Sequence, residues 1–193
     1  MATQQATKTK SIWKIDPAHT SVRFSAKHMM ISTVRGQFKS VIAEVDWDEQ
    51  DVTNSSVVAT IDASSLVTGV DMRDNHLRSA DFLHVEQYPD VTFKSTRIEP
   101  KGDNEYKIHG DLTIRGVTKP VVLDTTYEGQ GVDPYGNEHA GFTAKTTINR
   151  KDWGLEWNVA LETGGVLVGD TIKIELEVEL IKVKDAELAA QNA

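Results

Sequence analysis

Five side chains in this sequence could act together on an acidic group: His28, Arg35, Arg73, His76 and Arg78. Each lies in a segment read as a loop or a short helix, beside apolar positions. An arginine pair held there would grip a diphosphate or another acidic head group through charge-assisted, bidentate hydrogen bonds. The competing reading is surface ion pairing with Asp71, Asp74, Asp81 and Glu86, and the interleaved acids favour it. His28 and His76 would serve equally well as hydrogen-bonded packing residues.

Other chemistry finds less support. The six histidines form no HxH or HExxH pattern and there is no cysteine, so no metal ligands are assigned. Gly-x-Ser-x-Gly, phosphate-loop and dinucleotide-binding glycine patterns are absent, so no catalytic residue and no cofactor are assigned. Gly164, Gly165 and Gly169 read as turn glycines. Asp152, Glu156 and Glu162 lie near Trp153 and Trp157, but acids at such spacing are common on strands. The expectation is a binding protein and not an enzyme. A rival reading, an isomerase or hydrolase acting on an apolar substrate, needs a converging acid–base pair.

Composition narrows the classes. The chain has 193 residues, 39% hydrophobic and 26% charged, which suits one soluble globular domain. Its net charge of −8, with no basic run, argues against nucleic acid and against general adhesion to anionic membranes, although a local basic patch remains open. No stretch has the length of a transmembrane helix and the first residues hold no apolar run like that of a signal peptide, so a cytoplasmic location is expected. Residues 1–10 read as a polar arm, 11–183 as the domain and 184–193 as a tail.

The elements that must position these groups are mostly strands. Ile172, Ile174, Leu176, Val178 and Leu180 alternate with Lys173, Glu175, Glu177 and Glu179, which buries one face of a strand and wets the other. Tyr106, Ile108, Gly110, Leu112 and Ile114 alternate likewise, turn at Gly116 and continue through Val121 and Leu123 to Tyr127, as a hairpin does. Shorter alternations occur at Val22–Ala26, Val57–Ile61, around Phe93 and at Phe142–Ile148. Between Val34 and Trp47 the apolar parity switches from even at Phe38 to odd at Val41, which predicts a bulge or a change of environment inside a long strand. Residues 71–83 lack β-branched side chains and predict one or two short helical turns, with Asp74 as a cap. About eight strands at hairpin spacing predict an all-β fold, an elongated antiparallel barrel of the kind that holds one small ligand.

Five ordered strings strengthen this reading: DPAHTSVRFSAKHMMISTVRGQF, DMRDNHLRSADFLHVEQYPDVTFKS, GDLTIRGVTKPVVLD, AGFTAKTTINRKDWGLEW and VGDTIKIELEVEL. Together they resemble the YceI-like family over about residues 12 to 183. The first string carries Asp16, His19, His28, Gly36 and Phe38 in the family's order. The resemblance implies an eight-stranded, lipocalin-like barrel whose apolar tunnel holds a polyisoprenoid, a polyprenyl diphosphate, an isoprenoid quinone or a fatty-acid-like lipid, and it makes a homodimer plausible. On that implication Phe24, Met30, Phe38, Leu77, Phe82, Phe93, Leu112, Ile114, Phe142 and Trp157 line the tunnel. The plain alternative is that these residues fill a solid core, in a module that binds partners by its surface.

Overall fold

The computed structural model describes residues 10–162 and 164–184. Eleven strand segments make one antiparallel sheet: β1 (Lys10–Ile15), β2 (Ser21–His28), β3 (Ser32–Phe38), β4 (Val41–Asp48), β5 (Ser56–Asp62), β6 (Leu66–Val67), β7 (Asp90–Pro100), β8 (Glu105–Ile114), β9 (Val117–Val132), β10 (Glu138–Asn149) and β11 (Val168–Lys182). One helix, α1 (Asp71–Arg78), connects β6 to β7. Strand β1 begins at Lys10, one residue inside the expected arm; the rest of that arm, and residues 185–193 of the tail, lie outside the described residues.

The eleven segments form eight staves of a closed barrel. Three staves are broken strands: β1 with β2, β3 with β4, and β5 with β6. The long β11 explains how. Its end pairs with β1, Leu180 facing Ile15, and its middle pairs with β2, Leu176 facing Val22. That pairing, first stave to last, closes the ring. All other pairings join staves consecutive in sequence, as in an up-and-down barrel.

The parity switch after Phe38 falls where β3 gives way to β4. Lys39 and Ser40 make the corner, and both backbone amides donate to Ser65 Oγ at 3.1 and 3.0 Å. Phe38 and Val41 both stay on the inner side because the two-residue corner resets the alternation.

Helix α1 starts earlier than the sequence suggests. Its N-cap is Val70, with no side-chain cap. Asp74 instead lies buried within the helix, and its carboxylate accepts from the Thr68 amide at 2.8 Å and from the Thr68 hydroxyl. It ties the helix to the strand before it.

Two apolar clusters cap a hollow middle. At the end holding Lys10 and Asp48, Trp13 is fully buried with Ala140 and Leu180, under Trp47, Tyr127 and Phe142. At the other end Leu66, Phe82, Leu83, Trp153 and Leu155 pack with Leu77 and Trp157. Among the described residues no helix is long and apolar enough to cross a membrane.

Candidate ligand-binding cavity

Between these ends lies a cavity of about 860 Å³. A barrel of this size encloses space only if its inward side chains are small or lie flat. Both devices are present. Ala26, Ala43, Ala59, Ala144, Thr125 and Thr146 are all on the wall. Two glycines let phenyl rings lie against the sheet: a Cβ at Gly36 would sit 2.4 Å from Phe24 Cζ, and one at Gly110 would sit 2.3 Å from Phe93 Cζ. Each ring occupies the place its cross-strand neighbour's side chain would take, so it covers the wall and leaves the lumen open. The barrel is therefore not the solid core of the plain alternative.

The inward ladder of β11 sets the length. Ile172 to Leu180 line the wall at every second residue. Eight steps at about 3.3 Å, tilted about 40° to the axis, give a tunnel of roughly 20 Å. That volume lies within the range of small-molecule sites, and the wall is overwhelmingly apolar.

Nine of the ten residues expected to face a tunnel are on this wall: Phe24, Phe38, Leu77, Phe82, Phe93, Leu112, Ile114, Phe142 and Trp157. Met30 is not. It is 58% exposed, in the turn between β2 and β3, with a φ of +63°. Its apolar type suggested the interior, but the turn points it outward.

The five head-group candidates separate. His28, Arg73 and His76 are on the cavity wall, at the end covered by α1. Arg35 is exposed on the outer side of β3, where it faces Ser25 of β2. Arg78 is a structural tie: it donates to the carbonyls of Ser64, at 2.8 Å, and Leu66, which fastens α1 to β6. Arg73 spends two donors on Thr68, Nε to the hydroxyl at 2.7 Å and Nη2 to the carbonyl at 3.0 Å. Its Nη1 makes no hydrogen bond among the described residues, nor does the His28 ring. His76 Nε2 is 2.8 Å from Asp81 Oδ2, and its ring stands edge-on to Phe82 and Trp157 at 5.1 and 4.5 Å between centroids.

Three wall residues carry chemistry that sequence reasoning missed. Arg150 is 3% exposed and donates to the carbonyls of Gly169 and Val168, at 3.2 and 3.5 Å, to that of Leu155, and to Asp170 Oδ1 at 3.3 Å. Burial pulls its guanidinium below the ordinary arginine value, and Asp170 opposes this. With its donors so engaged it pins the segment between β10 and β11. The signal was present: Phe142, Ala144, Thr146 and Ile148 are inward at even positions, and Arg150 continues that series. Trp153 donates from Nε1 to the Leu112 carbonyl at 3.1 Å, anchoring the segment between β10 and β11 to β8. Tyr127 lies at the opposite end; burial, then Tyr106 and Glu49, raise its phenol above the ordinary value.

Known proteins share this architecture. A UPF0312 protein of Staphylococcus epidermidis is 39% identical over 168 residues, covering 86% of this chain and 95% of that one. The YceI protein of Campylobacter jejuni has a similar structure, with a TM-score of 0.71 at 34% identity over 82% of this chain and 90% of that chain. Burkholderia cenocepacia BcnA is similar with a TM-score of 0.73 at 27% identity, over 86% and 98%. A polyisoprenoid binding domain from Saccharophagus degradans shares the fold with a TM-score of 0.68 at 12% identity, over 89% and 98%. The YceI-like domain itself matches residues 13–180, from the buried Trp13 at one end of the barrel to the Leu180 that packs on it, and the chain belongs to that family.

Proposed function

We propose that the barrel carries or stores one long-chain apolar or amphiphilic molecule: a polyisoprenoid, a polyprenyl diphosphate, an isoprenoid quinone or a fatty-acid-like lipid. The observation that carries this reading is the apolar cavity of about 860 Å³ running most of the barrel's length. Each methylene moved from water into such a wall gains about 0.8 kcal/mol, so ten would contribute roughly 8 kcal/mol, the equivalent of a micromolar Kd before the costs of binding. No charged contact is needed for that affinity. The Saccharophagus degradans domain of like fold, described as polyisoprenoid binding, agrees with this choice of ligand.

In this reading His28, Arg73 and His76 meet the head group, because they are the candidates on the wall at the α1 end. One observation favours an enzyme instead, the His76–Asp81 pair at 2.8 Å. His76 is on the cavity wall but Asp81 is half exposed and off it, so the pair sits at the solvent edge of the cavity. A carrier role fits that position better.

A series of prenyl alcohols of increasing length tests the proposal. Affinity should rise with each added unit until the tunnel of roughly 20 Å is filled, and then level off. Affinity independent of chain length would refute it. Arg73→Leu should weaken a prenyl diphosphate about tenfold and leave the matching alcohol unchanged.

A further inference from the structure

Six of the ten exposed large apolar side chains among the described residues gather at one end of the barrel; the other four are Ile42 on β4, Val58 on β5, and Val132 and Tyr135 at the β9–β10 turn. Met29, Met30 and Ile31 form the β2–β3 turn, Val70 and Met72 begin α1, and Val159 lies in the segment before β11. The Met29 amide donates to the Leu167 carbonyl at 2.8 Å, and the Leu167 amide to the Val159 carbonyl at 2.9 Å, which joins two parts of this collar. Pairing of β6 with β3 carries the chain toward α1 along the same rim. Met72 is 82% exposed and also on the cavity wall, so the cavity reaches the surface inside the collar.

The turn itself is chosen against its backbone. Met29 and Met30 have φ of +51° and +63°, and the Ile31 amide closes on the His28 carbonyl at 3.1 Å. Two successive positive-φ positions favour Asn-Gly, and long side chains there are strained. Ile31 beside them is 80% exposed. Nothing in the barrel's packing asks for apolar side chains at this tip.

The charges beneath the tip are one-sided. From Pro17 to Ala43 this acidic chain contains no Asp or Glu, while Arg23, Lys27, Arg35 and Lys39 supply positive charge. Arg23 pairs with Glu177. Lys27 and Arg35 are exposed and form no ion pair among the described residues. They lie roughly 7 and 13 Å below the turn at about 3.3 Å per residue, where long side chains reach the phosphates of a bilayer whose outer acyl region holds the tip. The acids at this end, among them Asp71, Asp81, Asp152, Glu156, Glu162 and Asp170, sit on other elements, which leaves the β2–β3 turn itself free of negative charge.

We propose that this collar docks on an anionic lipid bilayer, with Met29, Met30 and Ile31 inserted and Lys27 and Arg35 on the head groups, so that the cavity loads and unloads against the membrane. The loading half rests on the carrier reading above; the docking half does not. Vesicle flotation tests it, with phosphatidylcholine alone and with equal parts of phosphatidylglycerol. The full chain should float with the mixed vesicles. Met29→Asn with Met30→Gly suits the turn, so it should keep or raise Tm while cutting partition about tenfold. Lys27→Gln and Arg35→Gln should each cut it about fivefold, on the mixed vesicles only.

Flotation of the turn variant equal to that of the unmodified chain would overturn the proposal, as would failure of the unmodified chain to float. A self-association in ultracentrifugation that the turn variant abolishes would overturn it too, in favour of a second copy as the occupant. Uptake of a prenyl alcohol from detergent micelles separates the two readings. Flotation without uptake sinks the carrier reading and leaves docking standing; uptake without flotation does the reverse.

Discussion

Replacing Ala144 by Phe asks whether the barrel is hollow in solution. Ala144 is on the cavity wall midway along β10, with Leu176 facing it on β11 and Thr125 on β9. In a solid core the added ring would overpack and cost about 1–3 kcal/mol, a Tm loss of about 2–4 °C for each kcal/mol in a domain this size. In a hollow barrel the ring enters open space and buries its own apolar surface, so Tm should hold or rise. Affinity should fall, because the ring takes ligand volume. Excluding about three methylene-sized groups removes about 2.4 kcal/mol at 0.8 kcal/mol each, or a roughly 50-fold weaker Kd. Quenching of tryptophan emission by a polyene-bearing prenyl probe would read the affinity, since Trp47 and Trp157 are on the wall. A Tm lower by several degrees with unchanged affinity would refute the hollow-barrel account.

Arg150→Met strips the partner from three backbone carbonyls and Asp170, and should cost about 3 kcal/mol; thermal melts should show a Tm lower by about 6–12 °C. Gly110→Ala sets a Cβ against the Phe93 ring and should destabilise by about 1–3 kcal/mol. Adding Phe93→Ala should recover part of that loss in a double-mutant cycle, whereas strict additivity would mean that the two do not meet. His139 is held by Asp133, then Glu179, which raise its imidazole above the ordinary 6.5 against the effect of burial. Its stabilisation is therefore complete below pH 6.5 and lost as pH rises through the higher folded-state value. The Tm difference between the unmodified chain and His139→Gln should be largest in mild acid and vanish in alkali.

What the sequence could reveal followed from how local each cause is. The alternation of Ile172 to Leu180 is enforced by the strand itself, and β11 lies where the pattern says. The hairpin at Gly116 was legible for the same reason: Arg115 and Gly116 both have positive φ, of +49° and +73°. The parity switch after Phe38 marked a corner whose partner, Ser65, lies far along the chain. Reading β3 and β4 as one long strand was close, since together they make one stave. Asp74 looked like a cap because caps are local, but its partner Thr68 is fixed by how α1 folds back on β6. Arg150 continues the even inward series of β10, but the carbonyls that accept its donors come from segments brought together only in the folded barrel, so its role is not legible locally. Met30 was assigned inward by residue type, and only the turn's backbone says otherwise. Arg35 and Arg78 were grouped with Arg73 by charge and proximity in sequence, while the fold sends one outward and uses the other as a tie.

The central claim is that one lipid chain occupies the barrel. Purified protein extracted into organic solvent and read by mass spectrometry tests it most directly, alongside Ala144→Phe prepared in the same way. The account predicts a long-chain apolar or amphiphilic lipid in near-equal amount to the protein, and much less from the variant. An extract free of such lipid, from protein that also fails to take up prenyl chains, would contradict it.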